Sequence, residues 1–209
     1  MAKAELTSRA KQAIETKRRI VRCAKKLVQK SGFDKVSVSQ ISEAAGITVG
    51  TFYYYFQSKD DLLYELLPKA IIADTPDTDS TLHSYVQLIE LFRHLVSHPF
   101  QKSSELWSCI MRSTSAVETI NKDRLPMVGH IISRGQRRKE IAGEVSAEYI
   151  AELIIFTNRG IFVEYVHKPH SMNYPSTAMD VIERLVYSFL TEKGRRTLPE
   201  EYRPKWERG

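Results

Sequence analysis

The chain contains 209 residues, of which 42% are apolar and 27% charged, and its net charge is +6 at neutral pH. That apolar content is enough for a packed core in one large domain or two modest ones, so a disordered chain is excluded. No uncharged apolar run reaches the roughly 18 residues that a membrane-spanning helix needs, and the polar first dozen residues do not read as a signal peptide. We therefore expect a cytoplasmic protein with no membrane partner, in which Cys23 and Cys109 are reduced thiols. A redox-sensing thiol is the lesser alternative.

The positive charge is concentrated at the N-terminal end of the chain. Residues 1–72 hold 13 Lys and Arg against 7 Asp and Glu, whereas the remaining residues hold 18 of each. An excess of cations confined to one part of a chain is typical of proteins that bind nucleic acid. A solvated basic face would explain the cluster but not the neutral remainder.

An amphipathic helix is predicted from about Ala13 to Lys30, where apolar residues recur at helical spacing and basic residues occupy the other faces. Of those cations, Lys17 or Arg18 would be placed to reach a phosphate. Residues 3–12 precede it as a loose basic arm or as an extension of the helix. A DNA contact from this segment and simple disorder both stay open.

Residues 37–67 read SVSQISEAAGITVGTFYYYFQSKDDLLYELL and carry start and stop signals for three helices. Ser37 and Gln40, three residues apart, predict a capping box at the start of the first. Gly46 predicts its end, because glycine adopts the left-handed conformation without steric cost. Thr48 is placed to cap the next helix and Ser58 the one after it.

Two short helices joined by a tight turn are the geometry of a helix-turn-helix, whose second helix enters the major groove of DNA. Phe52 and Phe56 lie four residues apart and are expected to face inward. The other positions of this helix would then form a short, nearly uncharged, tyrosine-rich surface. Tyrosine hydroxyls can donate to phosphates, and threonine and valine methyl groups can contact thymine.

This stretch resembles the N-terminal DNA-binding domain of the TetR family of bacterial transcriptional regulators, over roughly residues 15–67. The matching features are Gly32-Phe33, Ile41, Ala45-Gly46-Ile47, Gly50-Thr51-Phe52-Tyr53, Phe56 and Ser58-Lys59-Asp60-Asp61-Leu62-Leu63. So many matches in order are more specific than a lone helix-turn-helix pattern. The resemblance implies an all-α fold, with an N-terminal three-helix DNA-binding domain and a helical ligand-binding and dimerisation domain behind it.

Carried over position by position, the resemblance implies DNA contacts from ten residues. These are Val38, Ser39, Thr48, Val49, Gly50, Thr51, Tyr53, Tyr54, Tyr55 and Lys59. Tyr53 and Lys59 would be the main phosphate anchors. The base-reading positions are less defined, because Val38 and Val49 have no hydrogen-bonding side chain.

The second part of the chain is predicted to be helical throughout. The Pro-, Asp- and Thr-rich residues 73–81 predict a linker. We therefore expect a helix-turn-helix domain over residues 1–67, an all-helical effector-binding and dimerisation domain over 68–193, and a charged, poorly ordered tail over 194–209.

The helix predicted from Ser146 is apolar on most faces and must be buried on most faces. The resemblance implies that this helix and the next, the last two long ones, form the interface of a homodimer. A symmetric dimer reads two half-sites about one turn of DNA apart, so the expected partner is double-stranded DNA with a pseudo-palindromic operator.

The sequence offers little chemistry for an enzyme. P-loop, GxGxxG, HExxH and GxSxG patterns are missing, and we predict neither catalytic residues nor a cofactor. His94 and His98 share a helical spacing that suits a metal, but no acid or cysteine completes the site, so no metal is predicted.

An unidentified small-molecule effector is expected in the second domain. Its candidate lining residues are Trp107, Met111, Met127, Phe156, Asn158, Arg159 and Phe162. At helical spacing the large apolar residues among them are more often plain core. Asn158 and Arg159 could equally bind a ligand, pair across the dimer or mark a solvated edge.

Three functional classes follow from this interpretation. The favoured one is a repressor released from its operator by an effector that shifts the population of two dimer states. The alternative is an architectural or cell-cycle DNA-binding protein on the same scaffold without a small-molecule ligand. The third is an enzyme with an accessory DNA domain, which would be excluded if no pocket of the second domain held convergent titratable groups.

Overall fold

The computed structural model describes residues 8–66, 79–97, 104–168 and 171–207. Within these ranges the regular elements are helices, and the sole β pairing is an isolated antiparallel bridge between Ile141 and Leu190. The predicted all-α fold is therefore confirmed. None of the described helices is both long and apolar enough to cross a membrane.

The α-helices are, in chain order, α1 (Ser8–Ser31), α2 (Val38–Ala45), α3 (Val49–Tyr55), α4 (Asp61–Leu66), α5 (Ser84–Ser97), α6 (Ser104–Arg112), α7 (Thr114–Arg137), α8 (Ala147–His167), α9 (Tyr174–Ser188) and α10 (Glu192–Thr197). Two 3₁₀ turns follow at Glu200–Tyr202 and Lys205–Glu207. Helix α1 begins five residues before the predicted start, which extends the amphipathic pattern into the basic segment. Helix α7 continues through Pro126, which lies inside the helix.

The chain divides into two compact units. The first comprises Met1–Pro68 together with Ser103–Val117, and the second comprises Lys69–Lys102 and Glu118–Gly209. From the sequence, residues 68–193 were predicted to form one domain. The difference is α6 and the start of α7, which pack with the N-terminal residues through contacts distant in sequence.

The core of the first unit is a small three-helix arrangement extended by α4. Helix α1 packs on α2 and α4, and α2 packs on α3. Ile20, Ile41, Phe52 and Leu62 are completely buried at its centre. Helices α2, α3 and α4 have only 8, 7 and 6 residues and are too short to be stable alone, so this shared apolar core maintains the geometry of the DNA-binding segment.

The second unit is built on α9, which packs against both α5 and α8. Its core contains many large aliphatic side chains, among them Leu88, Leu91, Ile131, Ile154 and Ile182, each at most 1% exposed. Ser146 caps α8 through a hydrogen bond from the Tyr149 amide of 3.2 Å, as the sequence predicted.

The predicted disorder of the C-terminal tail is wrong. We call residues 192–207 the C-terminal segment; it forms α10 and the two 3₁₀ turns. Leu198 is buried, the Tyr202 hydroxyl donates to Glu90 over 2.8 Å, and the Trp206 ring lies edge-on to Tyr187. Charge and proline content suggested disorder, but a few apolar and aromatic side chains are enough to fix the segment on the second unit.

Some predictions concern residues outside the described ranges. These are residues 3–7 of the basic arm, Leu67, Pro68, residues 73–78 of the linker and the possible metal ligand His98.

Candidate nucleic-acid interface

Local hydrogen bonds fix where α2 begins and ends. The Gln40 amide donates to the Ser37 hydroxyl over 3.2 Å, and the Ser37 amide donates to the Gln40 side chain over 2.8 Å. This is the predicted capping box. Gly46 ends the helix in the left-handed region at φ 62°, with its amide bonded to the carbonyls of Ser42 and Glu43.

The turn leads directly into α3. The Thr51 amide donates to the Thr48 hydroxyl over 3.1 Å, so Thr48 caps the helix as predicted. The two threonine hydroxyls are also hydrogen-bonded to each other over 2.9 Å. Helix α3 therefore starts at a defined residue, with its first turn fixed by a side chain.

The inner face of α3 is aromatic. Phe52 is completely buried and Phe56 is 4% exposed, with their ring centroids 5.4 Å apart. This confirms the predicted inward orientation of both rings, and it leaves the opposite face of the helix to solvent.

The outer surface of the α2–α3 unit carries the candidate DNA-contacting residues. Exposed fractions are 40% for Val49, 50% for Tyr53 and 81% for Tyr54. Among the others, Ser39, Thr48 and Gly50 are exposed, whereas Val38, Thr51, Tyr55 and Lys59 are partly exposed. Tyr53 is braced edge-on against Phe52 at 5.5 Å, and Tyr54 against Tyr55 at 5.1 Å.

Lys59 is the charged residue among the ten candidates, and its ammonium group has partners within the protein. It donates to the carbonyls of Phe33 and Val36, both over 3.1 Å, and lies 4.5 Å from the centroid of the Phe33 ring. These bonds join the start of α4 to the loop before α2. A lysine ammonium has three donors, so one remains for a phosphate.

The loop at residues 33–36 is held from a second side by α6. The Arg112 guanidinium pairs with Asp34 over 3.0 Å, and the Cys109 thiol lies 3.6 Å from the same carboxylate. Burial raises the pKa of the Cys109 thiol, and the Asp34 carboxylate adds to this effect, so the thiol stays protonated. No pattern in the sequence indicates these contacts between α6 and the loop, because Asp34 and α6 are some 70 residues apart.

Several cations of α1 are paired within the first unit. Lys17, which was predicted to reach a phosphate, forms an ion pair of 2.6 Å with Glu65 and lies 5.4 Å from the centre of the Phe56 ring. Arg22 pairs with Glu15 over 3.4 Å. Lys17 therefore contributes to the packing of α1 on α4 as well as to the local positive charge.

The seven candidate effector residues are divided between the two compact units. Trp107 and Met111 belong to the first unit, whereas the other five belong to the second. Met127 packs against the core and Phe156 is 43% exposed. A pocket lined by all seven therefore stays a prediction.

Asn158 and Arg159 are both engaged within the second unit. The Asn158 amide oxygen accepts a bond of 3.1 Å from the hydroxyl of the buried Tyr174, whose ring packs at 5.0 Å on Phe162. The Arg159 guanidinium lies 4.8 Å from the centroid of the Phe156 ring. Burial raises the pKa of Tyr174 to about 12, so its hydroxyl stays protonated and donates to Asn158.

Across the described part of the chain, no group of three His, Cys, Asp or Glu side chains is arranged to hold a metal ion.

Comparison with known proteins bears on the interface directly. Residues 20–66 match the family model described as bacterial regulatory proteins of the tetR family. The HTH-type transcriptional repressor BepR of Brucella suis is 24% identical over 173 residues, which cover 75% of this chain and 83% of that protein.

Two solved structures show how far the fold is shared. FadR of Thermus thermophilus, a TetR-family repressor in complex with lauroyl-CoA, has a TM-score of 0.68 at 16% identity, covering 83% of this chain and 94% of that one. NalD, the secondary repressor of the MexAB-OprM multidrug efflux pump in Pseudomonas aeruginosa, has a TM-score of 0.58 at 18% identity, covering 87% and 98%. At these identities the likeness establishes the fold of the helical second unit and not its ligand.

Proposed function

Since this chain carries the DNA-binding domain of the TetR family of transcriptional regulators, we propose that it is a repressor released from a pseudo-palindromic operator by a small-molecule effector. The observation that carries the proposal is the α2–turn–α3 unit. Its two helices are capped at defined residues, and the outer face of α3 offers Thr48, Thr51 and three tyrosines to DNA. The second helix of such a unit enters the major groove.

The ten residues identified from the sequence are the proposed DNA contacts. Tyr53 and Lys59 would hold phosphates, whereas Thr51 and Tyr54 would face base edges from the exposed side of α3. Gly50 would allow the backbone of α3 to approach the DNA closely. The surplus of cations in residues 1–72 would supply the attraction that does not depend on sequence.

A homodimer follows from the size of this surface. Helix α3 has only seven residues, so one copy can read only a few base pairs. Two copies related by a two-fold axis would read half-sites about 34 Å apart or a multiple of that distance. The required symmetry would make the operator pseudo-palindromic.

Helices α8 and α9 are the proposed dimer interface. The positions 149, 153, 156, 160 and 163 of α8 repeat with spacings of four and three, the pattern of a helix that packs lengthwise against another. Tyr149, Phe156 and Gly160 are exposed, and Leu153 and Val163 are partly exposed. An exposed apolar stripe of this kind is expected to be covered by a partner.

The regulatory mechanism we propose is a population shift between two dimer states. One state would hold the two α3 helices at the operator spacing, and the effector would bind the other state more tightly. A difference in binding free energy of about 1–3 kcal/mol would be enough for regulation. The buried leucines of α4 (Leu62, Leu63 and Leu66) are the proposed route from the effector domain to the DNA-binding helices. The lauroyl-CoA complex of Thermus thermophilus FadR supports a small-molecule effector in a protein of this fold.

The alternative is an architectural DNA-binding protein on the same scaffold, without an effector. Selection of bound duplexes from a random library, followed by genome-wide footprinting, separates the two functions. The repressor is expected to select one two-fold symmetric motif and to occupy few sites. Many dispersed sites of unrelated sequence would favour the architectural protein.

Two sets of variants test the proposed contacts. Tyr53→Phe is expected to weaken binding to all duplexes by a similar factor, because it removes a phosphate donor. Tyr54→Phe and Thr51→Val are expected to change which bases the motif contains. An unchanged motif in both of the latter variants would remove these side chains from base recognition.

A further inference from the structure

The second unit contains a cavity of about 450 Å³ that sequence analysis did not identify. Its lining comes from α5, α9 and the C-terminal segment. The lining residues are Tyr85, Ile89, Arg93, Glu183, Glu201, Tyr202, Arg203, Pro204 and Lys205. A cavity of this size is in the range that small organic ligands occupy.

Glu183 is the chemically distinctive group of this lining. Its side chain is partly buried, and within the described part of the chain its carboxylate accepts no hydrogen bond. A partly buried carboxylate without a partner is unfavourable, because it has lost water without gaining a donor. Burial accordingly raises the pKa of Glu183.

The nearest cations have other partners. Arg93 pairs with Glu90, Arg203 pairs with Glu200 over 3.2 Å, and Arg184 holds Asp180 with its Nε atom over 3.0 and 3.1 Å. Arg184 also stacks on Trp206 at 4.2 Å. Lys205 lies at the exposed rim of the cavity and forms no ion pair within 4 Å among the described residues.

The rest of the lining suits the apolar body of a ligand. Tyr85 and Ile89 are each 1% exposed, and Pro204 is buried. Tyr202 is partly exposed, and the face of its ring can attract a cation through its π electrons. The Tyr202 hydroxyl is fixed by its bond to Glu90, which limits the movement of that ring.

We propose that this cavity binds a small organic ammonium ion, with Glu183 as its counter-ion and the ring of Tyr202 beside its apolar part. The ammonium group would supply the donors that the carboxylate lacks. In a ligand-responsive regulator such a site would receive the effector, and that step alone rests on the proposed function.

Three probes of similar shape and different charge test the proposal in isothermal titration calorimetry without DNA. They are 2-phenylethylammonium, the neutral 2-phenylethanol and the anion 3-phenylpropanoate. We expect saturable binding of the cation and at least tenfold weaker binding of the other two. Glu183→Gln should weaken the cation at least tenfold, and Tyr202→Ala should weaken it as a second variant. The exposed Glu192→Gln on the C-terminal segment should leave it unchanged.

The pH dependence gives an independent readout. Affinity for the cation should fall as Glu183 becomes protonated, at a higher pH than for an ordinary glutamate. The charged groups around it are Arg93 on α5, Asp180 and Arg184 on α9, and Lys205 on the C-terminal segment. In Glu183→Gln this pH dependence of the affinity should disappear. The thermal unfolding midpoints of the parent and of Glu183→Gln check that both proteins are folded.

Several results would overturn the proposal. The first is that the cation shows no saturable binding at millimolar concentration, the second that all three probes bind equally, and the third that the affinity for the cation is unchanged in Glu183→Gln. The fourth such result is that the anion binds more tightly than the cation and that Lys205→Ala abolishes its binding. Operator affinity is measured separately. Binding of the amine with no effect on operator affinity would keep the site and remove its regulatory role, whereas a failure to bind any duplex would refute the proposed function and leave the site standing.

Discussion

At the scale of single residues, Lys59 combines a structural role with the proposed phosphate contact. Two of its three donors hold the carbonyls of Phe33 and Val36, so its charge is fixed beside the loop that precedes α2. Sequence resemblance identified Lys59 as a phosphate anchor, but nothing in the sequence indicated its bonds to a loop 23 and 26 residues away. The structure therefore adds a second consequence to its removal.

Lys59→Ala is expected to lower the free energy of unfolding by about 1–2 kcal/mol, because two hydrogen bonds to a charged donor are lost. It should also weaken binding to all duplexes and reduce the slope of log affinity against log salt by about 1.8 for the proposed dimer, because each of its two copies loses one phosphate contact worth about 0.9. Urea unfolding measures the loss of stability. Binding titrations between about 50 and 200 mM salt measure the change in the salt slope. Arg196→Ala, an exposed cation in the second unit, is the charge-matched control. An unchanged salt slope would leave Lys59 with the structural role alone.

His83 gives the second unit a pH dependence. The Tyr85 amide donates to Nδ1 over 3.2 Å, so Nδ1 is an acceptor and Nε2 carries the proton that bonds the Gly194 carbonyl over 3.1 Å. The buried ring is therefore neutral. Burial lowers the pKa of His83 below its ordinary value of 6.5, and Arg138 acts in the same direction, against Glu140 and the Gly194 carbonyl.

The sign of the effect follows from this lowered pKa. The unfolded chain binds the proton more tightly, so the contribution of His83 to stability is complete above pH 6.5 and is lost as the pH falls towards the folded-state pKa. We expect the free energy of unfolding to decrease between pH 7.5 and pH 5.5. The decrease should be smaller in His83→Gln, while His130→Gln, an exposed histidine on α7, should behave like the parent. Equal pH dependence of all three proteins would contradict this origin.

At the scale of elements, the helix ends that the sequence predicted best are those defined by local hydrogen bonds. Ser37, Gly46 and Thr48 act within three or four residues of the chain, so spacing alone indicates their partners. The C-terminal segment shows the opposite case. A Cβ atom at Gly194 would overlap the carbonyl of Glu140, and Thr191 bonds the carbonyls of Lys139 and Glu140. Those partners lie about 50 residues away, and composition gives no sign of them.

The capping box of α2 offers a comparison of two serines in one element. Ser37→Ala removes the cap of α2 and should lower the free energy of unfolding by about 1 kcal/mol. Ser39→Ala lies two residues further along, on the exposed surface, and should leave stability within about 0.5 kcal/mol of the parent. If Ser39 contacts DNA as proposed, its variant should instead weaken operator binding. Urea unfolding and operator titration of both variants separate the two effects, and equal loss of stability would contradict the assignment.

Helix α6 also shows the difference between local patterns, which can be predicted, and distant contacts, which cannot. The helical spacing of Leu106, Trp107, Ile110 and Met111 predicted the element itself, and in the structure Trp107 and Ile110 are buried. Which unit it joins depends on contacts such as Arg112 with Asp34, which no local pattern encodes. For this reason the sequence did not indicate that Trp107 and Met111, two of the candidate effector residues, belong to the first compact unit.

At the scale of the whole molecule, the proposed repressor requires two copies of the chain. Tyr149 and Phe156 are 57% and 43% exposed and stand seven residues apart on α8, so one partner helix could cover both. Large exposed aromatic side chains commonly dominate the binding energy of such an interface. Burying a carboxylate at either position without a partner would be unfavourable.

The double variant Tyr149→Glu and Phe156→Glu is therefore expected to be a folded monomer in analytical ultracentrifugation, at concentrations where the parent is a dimer. Its affinity for a two-half-site operator should fall by at least tenfold, whereas its weak affinity for a single half-site should match that of the parent. Leu82→Glu is the matched control, because Leu82 is 43% exposed in the same unit but lies on neither α8 nor α9. A double variant that remains dimeric would place the interface elsewhere. If the parent protein bound the symmetric operator as a monomer, this would contradict the proposal that two copies of the chain bind the two half-sites.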